Sequence, residues 1–126
     1  MATVLTNVGK NITTGRVKGV GSGVGSAEPA YVAWGTSGAT ATAGDVALGA
    51  QNGSRVLGVS TQYTTSTTND TYQVVGVLQA SGPITIREAG LFDAASGGNL
   101  YVRGDFTGIT LEHGESIQFT IRVQYT

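Results

Sequence analysis

"ITIREAGLFDAASGGNLYVRGDF", residues 84–106, is the stretch that decides the fold. Two runs rich in β-branched and aromatic residues flank "ASGG", residues 95–98, where paired glycines suit a tight turn. Pro83 stands just before the first run, a position that a strand entrance tolerates. The reading is therefore strand, turn, strand. In the second run Leu100, Val102 and Phe106 are expected on one face, with Tyr101, Arg103 and Asp105 on the other. In the first, Leu91 and Phe92 are consecutive apolar residues. One should enter the core while the other meets a neighbouring sheet or subunit, and Gly90 permits a bulge or close backbone approach.

The same stretch holds Arg87, Glu88, Asp93, Arg103 and Asp105, five of the fifteen acidic and basic residues in the chain. Paired carboxylates are the tools of glycoside hydrolysis, and Glu88, Asp93, Asp105, Glu112 and Glu115 are the acids available for it. Here the acids come with bases beside them. Arg87 adjoins Glu88, and Arg103 lies two residues from Asp105, so these charges are read as cross-strand ion pairs that fix register.

The rest of the chain extends this pattern. "SIQFTIRVQYT", residues 116–126, has the cleanest period of two, with Ile117, Phe119, Ile121, Val123 and Tyr125 inward. Running to the chain end, it is expected to be paired inside a sheet. "SRVLGVSTQYTTS" (54–66) and "DTYQVVGVLQA" (70–80) read as a hairpin with a polar tip at Thr67, Thr68 and Asn69. "AYVAWG" (30–35) is a short aromatic strand, "TSGATATAGD" a loop, and "VALGAQNG" (46–53) one helical turn. At the N-terminus Val4, Leu5, Val8 and Ile12 form a helical stripe, which predicts a short helix followed by an extended arm. Short strands with Gly-rich turns and little helix give an all-β fold, an antiparallel β-sandwich of jelly-roll type. Residues 1–27 would form the N-terminal helix, arm and Gly-rich loop, and residues 28–126 the sandwich.

Composition narrows the function. A chain of 126 residues can bury a core as one domain. It has no cysteine, so disulfides and thiolate metal sites are ruled out. No apolar run approaches the roughly 20 residues that span a bilayer, and "MATVLTNVGK" lacks the basic start and apolar block of a signal peptide. Without such a signal the sequons at Asn11, Asn52 and Asn69 carry little meaning. A net charge of −1 supplies no field for gathering phosphates, which argues against nucleic-acid binding. Only 12% of residues are charged, about half the usual share in soluble domains. A surface so poor in charge is safer covered by partners.

The remaining motifs carry no chemistry. Gly19, Gly21, Gly23 and Gly25 miss the G-x-G-x-x-G spacing, because Val24 and Ser26 stand where the third glycine is required. His113, alone in "LEHGE", is too little for zinc and has no nucleophile elbow to serve. No D-x-D-x-D loop invites calcium. Tyr31 and Trp34 are either contact aromatics or core fillers at a strand end. No metal and no cofactor are expected.

Taken in order, "YVAWGTSGAT", "TNDTYQVVGVLQASG", "ITIREAGLFDAASGGNLYVRGDF" and "HGESIQFTIRVQYT", with the opening "MATVLTNVGK", resemble a family of small virion proteins of tailed bacteriophages. These are capsid cement, or decoration, proteins, and E-A-G-L-F-D is the most specific block. Similar segments occur in tail-fibre and baseplate proteins. The resemblance implies a β-sandwich, often a homotrimer, that sits on the outer surface of the head and clamps neighbouring copies of the major capsid protein. It brings no catalytic residue and no small-molecule substrate, and it places the protein on virions assembled in the bacterial cytoplasm. Arg16, Lys18, Tyr31, Trp34, Leu91 and Phe92 are the candidate protein contacts. A carbohydrate-binding sandwich is the reading from outside this class.

Overall fold

The computed structural model describes residues 2–19 and 27–126. The Gly-rich stretch 20–26, read above as a loop, lies outside them. The elements are β1 (Ala2–Leu5), α1 (Asn7–Lys18), β2 (Tyr31–Gly35), β3 (Val56–Leu57), β4 (Val59–Tyr63), β5 (Thr71–Gln79), β6 (Ile84–Phe92), β7 (Leu100–Leu111) and β8 (Ser116–Gln124). They form two antiparallel sheets, one of five strands in the order β1-β7-β6-β2-β3 and one of three in the order β4-β5-β8. The all-β sandwich is thus the observed architecture.

Between the sheets lies the main core. Val32, Trp34, Ile86, Leu91 and Val102 of the large sheet meet Val74 and Leu78 of the small one, with Ile117, Phe119 and Ile121 packed at the margin. The Trp34 and Phe119 rings close across the gap edge to face, 6.3 Å apart. Trp34 is therefore a core residue, 3% exposed, and so is Leu91.

The N-terminal segment is built into the sandwich. Val4 and Leu5 belong to β1, the edge strand paired with β7, so the helix starts later than the apolar stripe suggested. The extended arm expected after the helix falls on 20–26, outside the described residues. Thr6, fully buried, makes the junction. Its Oγ1 accepts the Gly9 N–H at 2.9 Å, capping the helix, and donates to the Leu100 carbonyl at 2.6 Å. Thr6→Ala removes the cap and strands a buried carbonyl. The expected cost is ~1–3 kcal/mol in urea unfolding, most of it recovered by Thr6→Ser.

Three further expectations need correction. The run 54–66 is two strands in different sheets: Gly58 donates its N–H to the Ala30 carbonyl at 2.8 Å, and the chain crosses from β3 to β4 there. A Cβ on Gly58 would lie 2.5 Å from Val74 Cγ1, which is why the crossing passes at a glycine. Residues 46–53 form no helical turn but a loop bridged to β2 through Gln51 and Gly35. Finally, β8 pairs only with β5 among the described strands, so it is an edge, although its alternation is as expected. The β4–β5 hairpin is present, its tip spanning 64–70. Asp70 clamps that tip by accepting the N–H groups of Thr65, Ser66 and Thr67 at 2.9–3.0 Å, which hold its carboxyl far below the usual range.

Candidate assembly surface

The β6–β7 hairpin is buried on both faces, and a bulge explains how. Leu91 pairs with Val102 but Phe92 pairs with Leu100, leaving Tyr101 as an extra residue. Leu100 thereby turns away from Val102 and joins Phe92, Ala33 and Leu48 in a second cluster on the far side of the large sheet. Tyr101 goes the other way, into the inter-sheet core, against Tyr72. Strict alternation had placed both residues on the opposite sides.

The loop between β2 and β3 covers the second cluster, and the charged residues fasten that loop. Glu88 is 0% exposed and Arg103 is 2% exposed. Arg103 Nε donates to Glu88 Oε1 at 3.0 Å, Nη1 to Asp45 Oδ2 at 3.1 Å, and Nη2 to the Ala39 carbonyl at 3.0 Å. Glu88 also accepts the backbone N–H groups of Ser37 (3.1 Å), Gly49 (2.8 Å) and Ala50 (2.7 Å). The carboxylate thus takes four donors. A side chain at Gly35 would collide with Glu88 Oε2 and the Ala50 carbonyl, so the close seat requires glycine. Asp45 is held below the ordinary carboxylate range by the Thr42 backbone N–H, then by the Thr42 hydroxyl and Arg103.

The other charges divide. Asp105 accepts the Ala41 N–H at 2.7 Å and pins the same loop. Asp93 clamps the turn, accepting the backbone and side-chain N–H groups of Asn99 at 2.7 and 2.9 Å, and its charge lies close enough to Arg55 to favour the ionised guanidinium. Gly97 and Gly98 take positive φ in that turn, where a Cβ on Gly98 would lie 2.5 Å from Asp93 Oδ1. Arg87 is exposed. Arg55 and Asp45 were missed. The Arg55 guanidinium stacks on Phe92, 3.5 Å from the ring centroid, and donates to the Ala94 and Gly97 carbonyls. Both come from irregular loop, where no periodicity marks a residue as structural.

This arrangement consumes the acids of the hairpin. Each oxygen of Glu88 is saturated by donors, and loop covers it. Glu112 and Glu115 meet in a turn through a 2.6 Å bond from the Glu112 N–H to Glu115 Oε1, with His113 exposed beside them. Among the described residues no three His, Asp or Glu side chains come together as metal ligands, and no helix is long and apolar enough to cross a membrane.

Of the candidate contacts, Trp34, Leu91 and Phe92 are buried and Tyr31 is half-buried against the second cluster, so none forms an exposed contact patch. Arg16 and Lys18 lie on the exposed last turn of α1. Beside it a hollow of about 460 Å³ is lined by Tyr72, Tyr101, Tyr125, Thr13 and Glu28. The Thr13, Tyr101 and Tyr125 hydroxyls are bonded to one another, and the Tyr72 hydroxyl donates to the Glu28 carboxylate at 2.9 Å. Burial raises the Tyr72 and Tyr101 pKa values, keeping both protonated.

A different surface is left open. On the outer face of the small sheet, Val59 stands directly across from Val75, with Val77 next along β5. Val59 is 70% and Val77 48% exposed. Around them lie Thr61, Gln73, Gln118, Thr120 and Gln124, and Arg122 is the only charged residue in the three strands. Its guanidinium is occupied, stacked 4.1 Å over Tyr63 with Nε bonded to Gln73 Oε1. Leu57, 64% exposed, precedes this face by one turn of chain at Gly58. A face bearing valine, threonine and glutamine, with one charge that is already engaged, has few ionic groups to desolvate, which suits contact with protein.

Comparison of the chain with protein-family models, curated proteins and solved structures finds no match in any of the three.

Proposed function

We propose that this chain is a structural virion protein of a tailed bacteriophage that binds the outside of the head and clamps neighbouring capsid subunits. The observation that carries the reading is the open face of the small sheet: exposed Val59 and Val77 beside half-buried Val75, on strands with a single charge. The motifs that resemble cement proteins support it. So does the fate of the charged hairpin, whose ionic groups bind the protein's own loop.

The mechanism is adhesion by repetition. Each copy buries a modest patch, and copies arranged by capsid symmetry raise one another's effective concentration at the lattice, so weak contacts add up to durable attachment. The sandwich supplies a rigid strut between subunits. Lys18, exposed at the end of α1, is placed to meet acidic patches on the capsid. Heads stripped of the protein should burst at lower temperature and under milder osmotic shock than heads carrying it. Equal fragility would refute the clamping role. A tail-fibre or baseplate module with the same E-A-G-L-F-D hairpin is the second reading, and gold labelling of the protein on tails instead of heads would establish it.

A further inference from the structure

β8 has the longest free edge among the described strands. All nine residues from Ser116 to Gln124 are paired with β5, and no described strand pairs with the other side. Natural sheets guard such edges with brevity, lysine, proline or bulges. The other outer strands here are short, with four residues in β1, two in β3 and five in β4. β8 lacks most of these: its alternation is unbroken, it contains no lysine and no proline, and its one charge, Arg122, is engaged by Tyr63 and Gln73. Its inward residues Ile117, Phe119, Ile121 and Val123 are only half-buried. Along it runs an open groove of about 740 Å³ between the sheets, with Phe106 and Ile109 in the opposite wall.

We propose that β8 pairs antiparallel with β8 of a second copy, about a two-fold axis through Thr120. In that register the strand complements itself. Ile117 faces Val123 and Phe119 faces Ile121 along the groove, while Gln118 faces Arg122 and Ser116 faces Gln124 on the outer side. The two arginines stand four positions apart, about 14 Å along the strand, beyond the screening length of about 8 Å at physiological salt. A slip of one residue would set inward side chains against outward ones. Centring the axis on Arg122 would bring like charges face to face. Charge and apolar pattern together therefore select another copy of this strand as the occupant. The product is a six-stranded sheet carrying two sets of Val59, Val75 and Val77 on one face, a bivalent version of the surface proposed above. The contact is isologous and joins copies in pairs.

Light scattering on the full chain tests this. Thr120 is exposed, and Thr120→Lys sets two ammonium groups opposite each other at the axis without entering the core. The wild-type protein should have twice the mass of the Thr120→Lys variant, with unchanged circular dichroism. Mixing Thr120→Lys with Thr120→Glu should restore the doubled mass. Because the chain has no cysteine of its own, Thr120→Cys should cross-link into dimers on mild oxidation. Equal masses for wild type and the lysine variant would overturn the proposal, as would doubling that survives every substitution. These outcomes do not depend on binding to any head.

Discussion

Replacing Arg103 with alanine is expected to destabilise the protein by about 3–5 kcal/mol, the usual cost of stripping one partner from a buried ion pair. Glu88 would be left fully buried with a charge that three backbone N–H groups stabilise only in part. For a domain of this size that corresponds to a fall in melting temperature of roughly 10–15 °C. Glu88→Gln should be comparably damaging, although it changes no shape. Ser37 and Ala50 donate to one carboxylate oxygen, and Gly49 and Arg103 to the other. A glutamine amide nitrogen, whichever way it turns, meets two donors. Urea denaturation measures both effects. The outer partner, Asp45, is a quarter exposed, so Asp45→Ala should cost under about 1 kcal/mol. If Glu88→Gln left the stability intact, the ion pair would not be the fastening of the loop.

Placing charge on the open sheet face should have the opposite profile. With Val75→Lys and Val77→Lys together, the fold is expected to lose no more than about 1–2 kcal/mol, because Val77 is half exposed and β-propensities span only about 1 kcal/mol per site. Binding to heads, by contrast, should weaken more than about 100-fold, since an unpaired ammonium driven into a contact costs several kcal/mol and each factor of ten is 1.4. Repetition over the lattice multiplies the deficit. Sedimentation with stripped heads, followed by melting of the unbound variant, separates lost adhesion from lost folding. A variant that still binds with native affinity would remove this face from the account.

How far the sequence reveals these features depends on the range of the interactions. The strands of the β6–β7 hairpin show in their β-branched and aromatic runs, β8 in its period of two, and the hairpin's turn in Gly97 and Gly98, because backbone sterics and burial act locally. The bulge at Tyr101 does not show. An added residue leaves the apolar count unchanged while exchanging the faces of Leu100 and Tyr101. The crossing at Gly58 is hidden likewise, since β3 and β4 read as one apolar run. In the charged cluster the nature of the residues was legible, their pairing less so. Arg103 reaches diagonally to Glu88, past its direct neighbour Gly90, and its other partners come from a loop whose path depends on the finished sheet. The open valine face was half visible in Val75 and Val77, apolar on the side of β5 away from Val74 and Leu78. Only the sheet order reveals that none of the described strands covers it.

The central claim is that the protein works by holding other proteins together through this face. A cryo-EM map of intact virions tests that most directly. The expected result is two-sheet density on the head lattice, with Val59, Val75 and Val77 in van der Waals contact with capsid subunits. Virions without such density, or density that turns those valines toward solvent, would contradict it.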